Sequence, residues 1–376
     1  MAVREIIRRD PEDIRNVEYL SLCPICLRKY QAGIKGQAQT RGKFNEEFRL
    51  RTQGQAEQAP DLDHLVSTSR RKYVAFLYAD GNDIGSVLDK ARSPEELRAL
   101  SEAIGDGTKE ALFATLSEVC GRALEREEYW PFEIVNVGGD DVILLIQAGY
   151  AWEVAVAFLA RFEQEIRQRI ILNLGRWPDD WPEKITAACG IAVAEAKYPL
   201  QYMERLANDL LSRAKKLAKA RPGVQSALDF LWLPTPVATE HVEPLMGYYQ
   251  RGTHMLTARP YTLSQARQLM ELAAEASQWP RTQRHLWAAS LEKGVMASIN
   301  SIYYNIARRQ KEKEREGLVQ FLNKVRQSIG AEPHAAPAPL WGLDDDTSRY
   351  RTALLDVLEL AELRSMRSDI EEKLEG

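Results

Sequence analysis

Residues 133–146 read Glu-Ile-Val-Asn-Val-Gly-Gly-Asp-Asp-Val-Ile-Leu-Leu-Ile. The runs on either side of Gly138 and Gly139 are apolar and rich in β-branched residues, and glycine tolerates the positive φ angles a tight turn requires, so the stretch reads as a hairpin. Asp140 and Asp141 fall at its bend. One reading is an ordinary polar tip, because Gly and Asp are common turn residues. The other is a cation site: Mg²⁺ takes oxygen ligands, usually one or two carboxylates together with the phosphates of its substrate.

A second stretch favours the cation. Residues 73–85 read Tyr-Val-Ala-Phe-Leu-Tyr-Ala-Asp-Gly-Asn-Asp-Ile-Gly, a strand of buried character that ends in Asp80, Gly81, Asn82 and Asp83. One strand ending in a carboxylate and one hairpin carrying two more can converge on the same metal pair.

Gly-Gly-Asp-Asp at 138–141, Ala-Asp-Gly-Asn-Asp-Ile-Gly at 79–85 and Leu-Thr-Ala-Arg-Pro-Tyr-Thr-Leu at 256–263 together resemble the nucleotide-polymerising Palm domain. That domain is shared by GGDEF-type dinucleotide cyclases and the large subunit of type III CRISPR effector complexes, the Csm/Cmr large-subunit family. The details point to the CRISPR branch and to its second, GGDD-bearing Palm. The likeness covers about the last nine tenths of the chain, but only the second half of the usual family protein. The family's first strand more often carries Asp-Gly-Asp, so Asn82 is a departure, and it leaves open whether Asp83 joins the metal site.

The resemblance implies an α+β protein: a ferredoxin-like Palm of the GGDEF/polymerase type over residues 72–235, followed by an α-helical C-terminal domain over 236–376. It implies ATP as substrate and a cyclic oligoadenylate messenger of antiviral defence as product. In such a nucleotidyltransferase a 3′-hydroxyl attacks an α-phosphate and pyrophosphate leaves, with Mg²⁺ or Mn²⁺ stabilising the attacking and leaving oxygens. Asp80 and Asp140 are the first choices as metal ligands, and Asp141 would ligate the second ion or help accept the proton. Gly81 offers a carbonyl, and the missing side chains of Gly138 and Gly139 let a nucleotide approach the backbone.

Composition sets the outer bounds. A chain of 376 residues, 45% of them hydrophobic, is expected to form two or three domains with sizeable cores. Residues 1–5 lack the apolar core of a signal peptide, and no run is long and apolar enough to cross a bilayer; a cytoplasmic protein without a membrane partner is expected. Fifty Lys and Arg stand against 54 Asp and Glu, a net charge of −4, so any RNA contact must be local or made by partner subunits. The four cysteines do not make a disulfide scaffold in a chain of this length.

Residues 1–71 read as an N-terminal segment. Cys23 and Cys26 form a CxxC knuckle that binds Zn²⁺ only if two further ligands exist; a metal-free turn is the alternative, and His64 is the nearest extra ligand. Cys120 and Cys189 read as core residues. Residues 36–71, rich in Gln, Arg, Glu and Gly, read as a flexible linker. Ser93, Pro94 and Glu96 mark a helix start with a capping box, and the pattern predicts one helix toward Gly105 and another over 112–127. Val154, Phe158, Phe162 and Ile166 predict an amphipathic helix over 152–174. Residues 185–193 read as a central strand, and 226–233 as an edge strand.

Over 200–220, Leu206, Leu210 and Leu217 share one helical face and Lys215 and Lys219 the other. Those two lysines are either a solvated surface or a seat for a triphosphate; by the resemblance they match the basic residues of the Palm's phosphate-contacting helix. Pro234 and Pro236 read as a domain boundary. Beyond it, Thr262 with Gln265 predicts a capping box, and Trp287, Leu291, Val295 and Ile299 extend at helical spacing. The Lys/Glu run over 311–316 reads as a solvated helix face, residues 331–339 as a loop, and Asp344, Asp345 and Asp346 as a capping cluster.

In the family, nucleotides lie between two Palms, and this chain shows one. The second wall would come from a homodimer or from a separate Palm-containing subunit, alongside other type III subunits with crRNA. The rival is a non-catalytic nucleotide-binding or scaffold subunit, and a third reading is a GTP-using cyclase.

Overall fold

The computed structural model describes residues 3–8, 17–22, 42–52, 54–178, 181–220, 225–330, 340–344 and 349–367. The chain divides into two units, Met1–Gln53 and Gly54–Gly376. In the first, β1 (Val3–Arg8) pairs antiparallel with β2 (Val17–Leu22), and α1 (Gly42–Arg51) follows. The linker expected over 36–71 therefore contains a ten-residue helix, with Glu47 and Arg51 paired at i, i+4. Cys23 and Cys26 lie outside the described residues, as do 36–41, the loop over 331–339, Asp345 and Asp346.

The second unit starts earlier than the expected boundary at residue 72. Ala56, Ala59, Leu65 and Val66 are buried, and the backbone of Ala56 and Glu57 bonds to Leu124 and Glu128. Apolar residues at these positions outweigh the polar composition around them. The elements then run α2 (Leu62–Leu65), β3 (Tyr73–Gly81), α3 (Ile84–Leu88), α4 (Pro94–Val119), α5 (Gly121–Arg126), β4 (Phe132–Gly138), β5 (Asp141–Gln147), α6 (Ala148–Leu174), β6 (Ala187–Glu195), α7 (Leu200–Ala220) and β7 (Ala227–Trp232).

One six-stranded sheet organises the unit, in the order β10-β7-β6-β3-β5-β4, where β10 is Tyr261–Thr262. Among the strands of this sheet only β6 and β7 pair in parallel. Within it, β3, β4, β5 and β6 with the connecting helices α4 and α6 form the ferredoxin-like βαββαβ unit. β6 is central as expected, but β7 is not an edge, because β10 pairs along its outer side.

Strand alternation sorts the side chains between two faces. Val74 and Phe76 of β3, Leu145 of β5, and Ala192 and Leu231 pack with Met203, Leu206 and Leu210 of α7. Phe230, the neighbour of Leu231, meets Trp152 of α6 on the other face, with ring centroids 5.1 Å apart. Thus α7 covers one face, and α6, paired with α4, covers the other.

Helix α4 departs from expectation. The first predicted helix and the first half of the second form one helix of 26 residues, with Gly105 and Gly107 in its interior, and the rest of the second is α5. A Cβ at Gly107 would come 2.8 Å from Ile166 Cδ1 on α6, so the glycine serves close helix packing instead of ending a helix. Ser93 caps α4 by accepting from the Glu96 N–H at 3.2 Å.

The expected boundary at Pro234 does not isolate the rest of the chain, since β10 returns to the sheet. A short segment, α8 (Glu243–Met246), and β8 (Gln250–Arg251) and β9 (His254–Met255) precede β10. Next come α9 (Leu263–Ser277), α10 (Arg281–Leu291), α11 (Val295–Ala307), α12 (Glu312–Ser328), β11 (Gly342–Asp344), β12 (Arg349–Arg351) and α13 (Leu354–Arg364). Thr262 and Gln265 form the predicted capping box on α9. The run from Trp287 to Ile299 is two helices, broken at Gly294, whose φ is +98°.

The 256–263 motif is the clamp between sheet and helices. The Arg259 side chain is buried and donates from Nε to Asp356 Oδ1 of α13 at 2.8 Å. It also pairs with Glu359, donates to the Phe230 carbonyl at 2.9 Å and stacks over the Phe230 ring at 3.8 Å. Asp356 accepts further from the Thr257 hydroxyl at 3.0 Å, the Ala258 N–H at 2.9 Å and the Tyr261 hydroxyl. These donors satisfy a buried carboxylate.

Candidate active site

The hairpin has the expected form. Gly138 pairs with Asp141, leaving Gly139 and Asp140 as a two-residue turn. Gly139 has φ +64°, and Asp140 is not among the positive-φ residues, which is the sign pattern of a II′ hairpin with glycine first. Asp140 is thus the tip residue, and Asp141 is the first residue of β5.

The register of β3 against β5 runs from Val74 opposite Gln147 to Ala79 opposite Val142. One further step sets Asp80 across from Asp141. Both share the sheet face of Tyr78, Phe76 and Leu145, which α7 covers. Asp140 reaches the adjoining position: a Cβ on Gly81 would come 2.8 Å from Asp140 Oδ2. The same Cβ would come 2.5 Å from Ile84 Cγ1, so Gly81 leaves room for both Ile84 and the carboxylate.

Electrostatics mark the same spot. Burial raises the Asp140 carboxyl above the ordinary carboxylate range and the Asp141 charge adds to it, against the backbone N–H groups of Asp140 and Gly81. Burial raises Asp141 too. Tyr78 is pushed up by burial and then by the charges of Asp141, Glu204 and Asp140.

Helix α7 supplies the counter-charges. Lys215 is ion-paired with Asp80, and Lys219 donates to Asp83 Oδ1 at 2.8 Å. Burial lowers the Lys215 pKa, with Lys219 adding repulsion. Gly190 of β6 sets the height of this helix: a Cβ there would collide with the Ala207 carbonyl and the Leu211 nitrogen.

Asn82 faces elsewhere. Its Nδ2 donates to Thr186 Oγ1 at 2.9 Å and its N–H to the Thr186 carbonyl at 2.7 Å, so it tethers β3 to the start of β6. Asp83 has a left-handed φ of 56° and a half-exposed side chain; it binds Lys219. His64 bonds Asp61 at 2.6 Å and packs edge-on against Tyr129. Cys120 and Cys189 are buried.

The structure thus brings Asp80, Gly81, Gly138, Gly139, Asp140, Asp141, Lys215 and Lys219 to one end of the sheet. Sequence reasoning missed Tyr78, Gly190 and Thr186; strand alternation from Asp80 was the signal for Tyr78. Among the described residues no group of three or more His, Cys, Asp or Glu side chains is arranged to hold a metal by itself. The fit to a divalent cation rests on two desolvated carboxyls with raised pKa values and on Asp140 lodged over Gly81. Such a donor set suits an ion that draws its remaining ligands from phosphates.

A βαββαβ sheet whose central strand ends in a carboxylate beside a Gly-Gly-Asp-Asp hairpin is a palm domain. Residues 73–223 match the family described as Cas10/Cmr2, second palm domain, and this segment is a palm of that large-subunit family. No curated protein is significantly similar in sequence. Among solved structures, Csm1 of T. onnurineus is similar at 14% identity, over 84% of this chain and 42% of that one, with a TM-score of 0.45. A Csm1–Csm4 cassette in complex with pppApApA is similar at 14% identity, over 83% of this chain and 40% of that one (TM-score 0.43). A cassette in complex with cA4 is similar at 15%, over 81% and 38% (TM-score 0.42). The chain spans about two-fifths of the length of these proteins, and the assignment rests on the family match.

Proposed function

We propose that this chain is the catalytic Palm half of a type III CRISPR large subunit, a metal-dependent nucleotidyltransferase that converts ATP to cyclic oligoadenylate. The observation that carries the reading is the β3–β5 register, which directs the neighbouring Asp80 and Asp141 to one sheet face, with Asp140 near Gly81 and Lys215 paired to Asp80. Two like charges placed opposite each other destabilise a sheet, and a cation site gives them a purpose.

Asp80, Asp140 and Asp141 would hold Mg²⁺ or Mn²⁺, which when bound neutralises charge on the transferring phosphate and favours the 3′-alkoxide. Lys215 and Lys219 exchange their carboxylate partners for the triphosphate. Gly138 and Gly139 admit the nucleotide against the hairpin backbone. The 3′-hydroxyl of one nucleotide, held in line, attacks the α-phosphate of the next, and pyrophosphate leaves. The second wall of the pocket comes from another copy of the chain or from a separate Palm-containing subunit, within an assembly of type III subunits and crRNA.

A second reading, a nucleotide-binding subunit without chemistry, is favoured by the Lys215–Asp80 ion pair, which neutralises the site internally. Incubation of the protein with each nucleoside triphosphate and Mg²⁺ or Mn²⁺, with products resolved by mass spectrometry, separates the two. The catalytic reading predicts cyclic adenylates that vanish in the Asp140→Ala, Asp141→Ala variant. ATP binding without product, alone and with a first-Palm partner, would support the second reading.

A further inference from the structure

Away from the acidic hairpin, at the opposite end of β3 and β7, a cleft of about 340 Å³ opens between the sheet and helices α10 and α13. Tyr73, which lines it, is seven residues from Asp80, about 23 Å along an extended strand. The palm chemistry does not use this space.

Trp232 Nε1 and Arg284 Nε are buried without an acceptor among the described residues, while Arg284 Nη1 already donates to the Ser277 and Trp279 carbonyls at 3.0 and 2.7 Å and Nη2 to Glu362 at 2.9 Å. Arg284 is only 7% exposed. Buried N–H groups are rarely left unmet, so each calls for an explanation. The charge is also unbalanced. Arg71, Arg281 and Arg284 converge on the single carboxylate of Glu362, at 3.3, 3.1 and 2.9 Å, while Glu359, the other acid of the lining, belongs to Arg259. Three guanidinium groups sharing one carboxylate leave a surplus of positive charge.

Most of the remaining wall is aromatic or apolar, with His285 beside it. Tyr73 and Trp232 meet edge-on with centroids 6.0 Å apart, and Leu355 and Leu358 complete the surface. An occupant must therefore carry a ring to lie against Trp232 and an anionic group to meet the arginines.

We propose that this cleft is a second nucleotide site that binds a nucleoside monophosphate, the base on the Trp232 side and the phosphate on Arg281 and Arg71, the two more exposed arginines of the lining. Guanidinium groups suit phosphate oxygens, and aromatic side chains stack bases of any identity. The volume suits a small ligand.

The test is calorimetric titration of the full chain with AMP in buffer free of divalent cations, where the carboxylates at the other end repel anions. Parallel titrations use adenosine and inorganic phosphate. The expected result is saturable AMP binding that weakens by about tenfold in Arg281→Ala, an exposed position, and also in Trp232→Phe. Adenosine and phosphate alone should each bind far more weakly. Absence of saturable binding by any of the four common monophosphates overturns the proposal. So does binding that Arg281→Ala leaves intact, or equal binding by phosphate alone.

Discussion

At the residue scale the acidic pair is in tension with its surroundings. Asp140 and Asp141 have raised pKa values, so the folded chain holds their protons more tightly than the unfolded one. That contribution is complete at low pH and is lost as pH climbs from the ordinary carboxylate value of about 4 through the raised folded value. At neutral pH without metal, Asp141→Asn should therefore stabilise the protein, by up to about 1 kcal/mol. Thermal unfolding of both proteins in chelator should show the gain at pH 7.5 and a smaller gain near pH 4.5; an equal or reversed difference would contradict the account.

The hairpin was legible at this scale, because Gly-Gly between β-branched apolar runs predicts a tight turn with the aspartates at its bend. Asn82 was not. Only the fold brings Thr186 beside it, a partner more than a hundred positions away, and so explains an amide where the family prefers a carboxylate.

At the element scale the decisive contact is α7 on β6. The helix was legible from its leucine spacing, and its lysines from their shared face. Its distance from the sheet was not, because that depends on Gly190 against the Ala207 carbonyl, a contact no local pattern encodes. Gly190→Val should lift α7, costing about 1–3 kcal/mol of stability and weakening ATP binding more than a lysine-to-alanine change on the same helix. Denaturant unfolding combined with ATP titration checks both halves, and unchanged ATP affinity in a destabilised Gly190→Val would show that α7 does not set the site.

At the scale of the whole molecule, Arg259 joins sheet and C-terminal helices. The 256–263 motif stood out in the sequence only by resemblance, while its work as a clamp required seeing Asp356 and Glu359 of α13 beside it. Arg259→Met leaves Asp356 buried without its cation and should cost about 3–5 kcal/mol, read as an earlier denaturation midpoint. A double variant with Asp356→Leu should recover part of that loss. Patterning failed over 36–71 for a related reason: polar composition suggested a linker, yet four apolar residues between 56 and 66 are buried in the second unit.

The net charge of −4 gives the molecule no general attraction for nucleotides, so binding must come from the built site. Calorimetric titration of the full chain with ATP, with and without Mg²⁺, beside the Asp80→Asn, Asp141→Asn variant, addresses that claim most directly. The account predicts ATP binding that requires Mg²⁺ and is lost in the variant. Binding that is indifferent to the metal, or that survives the loss of both carboxylates, would contradict it.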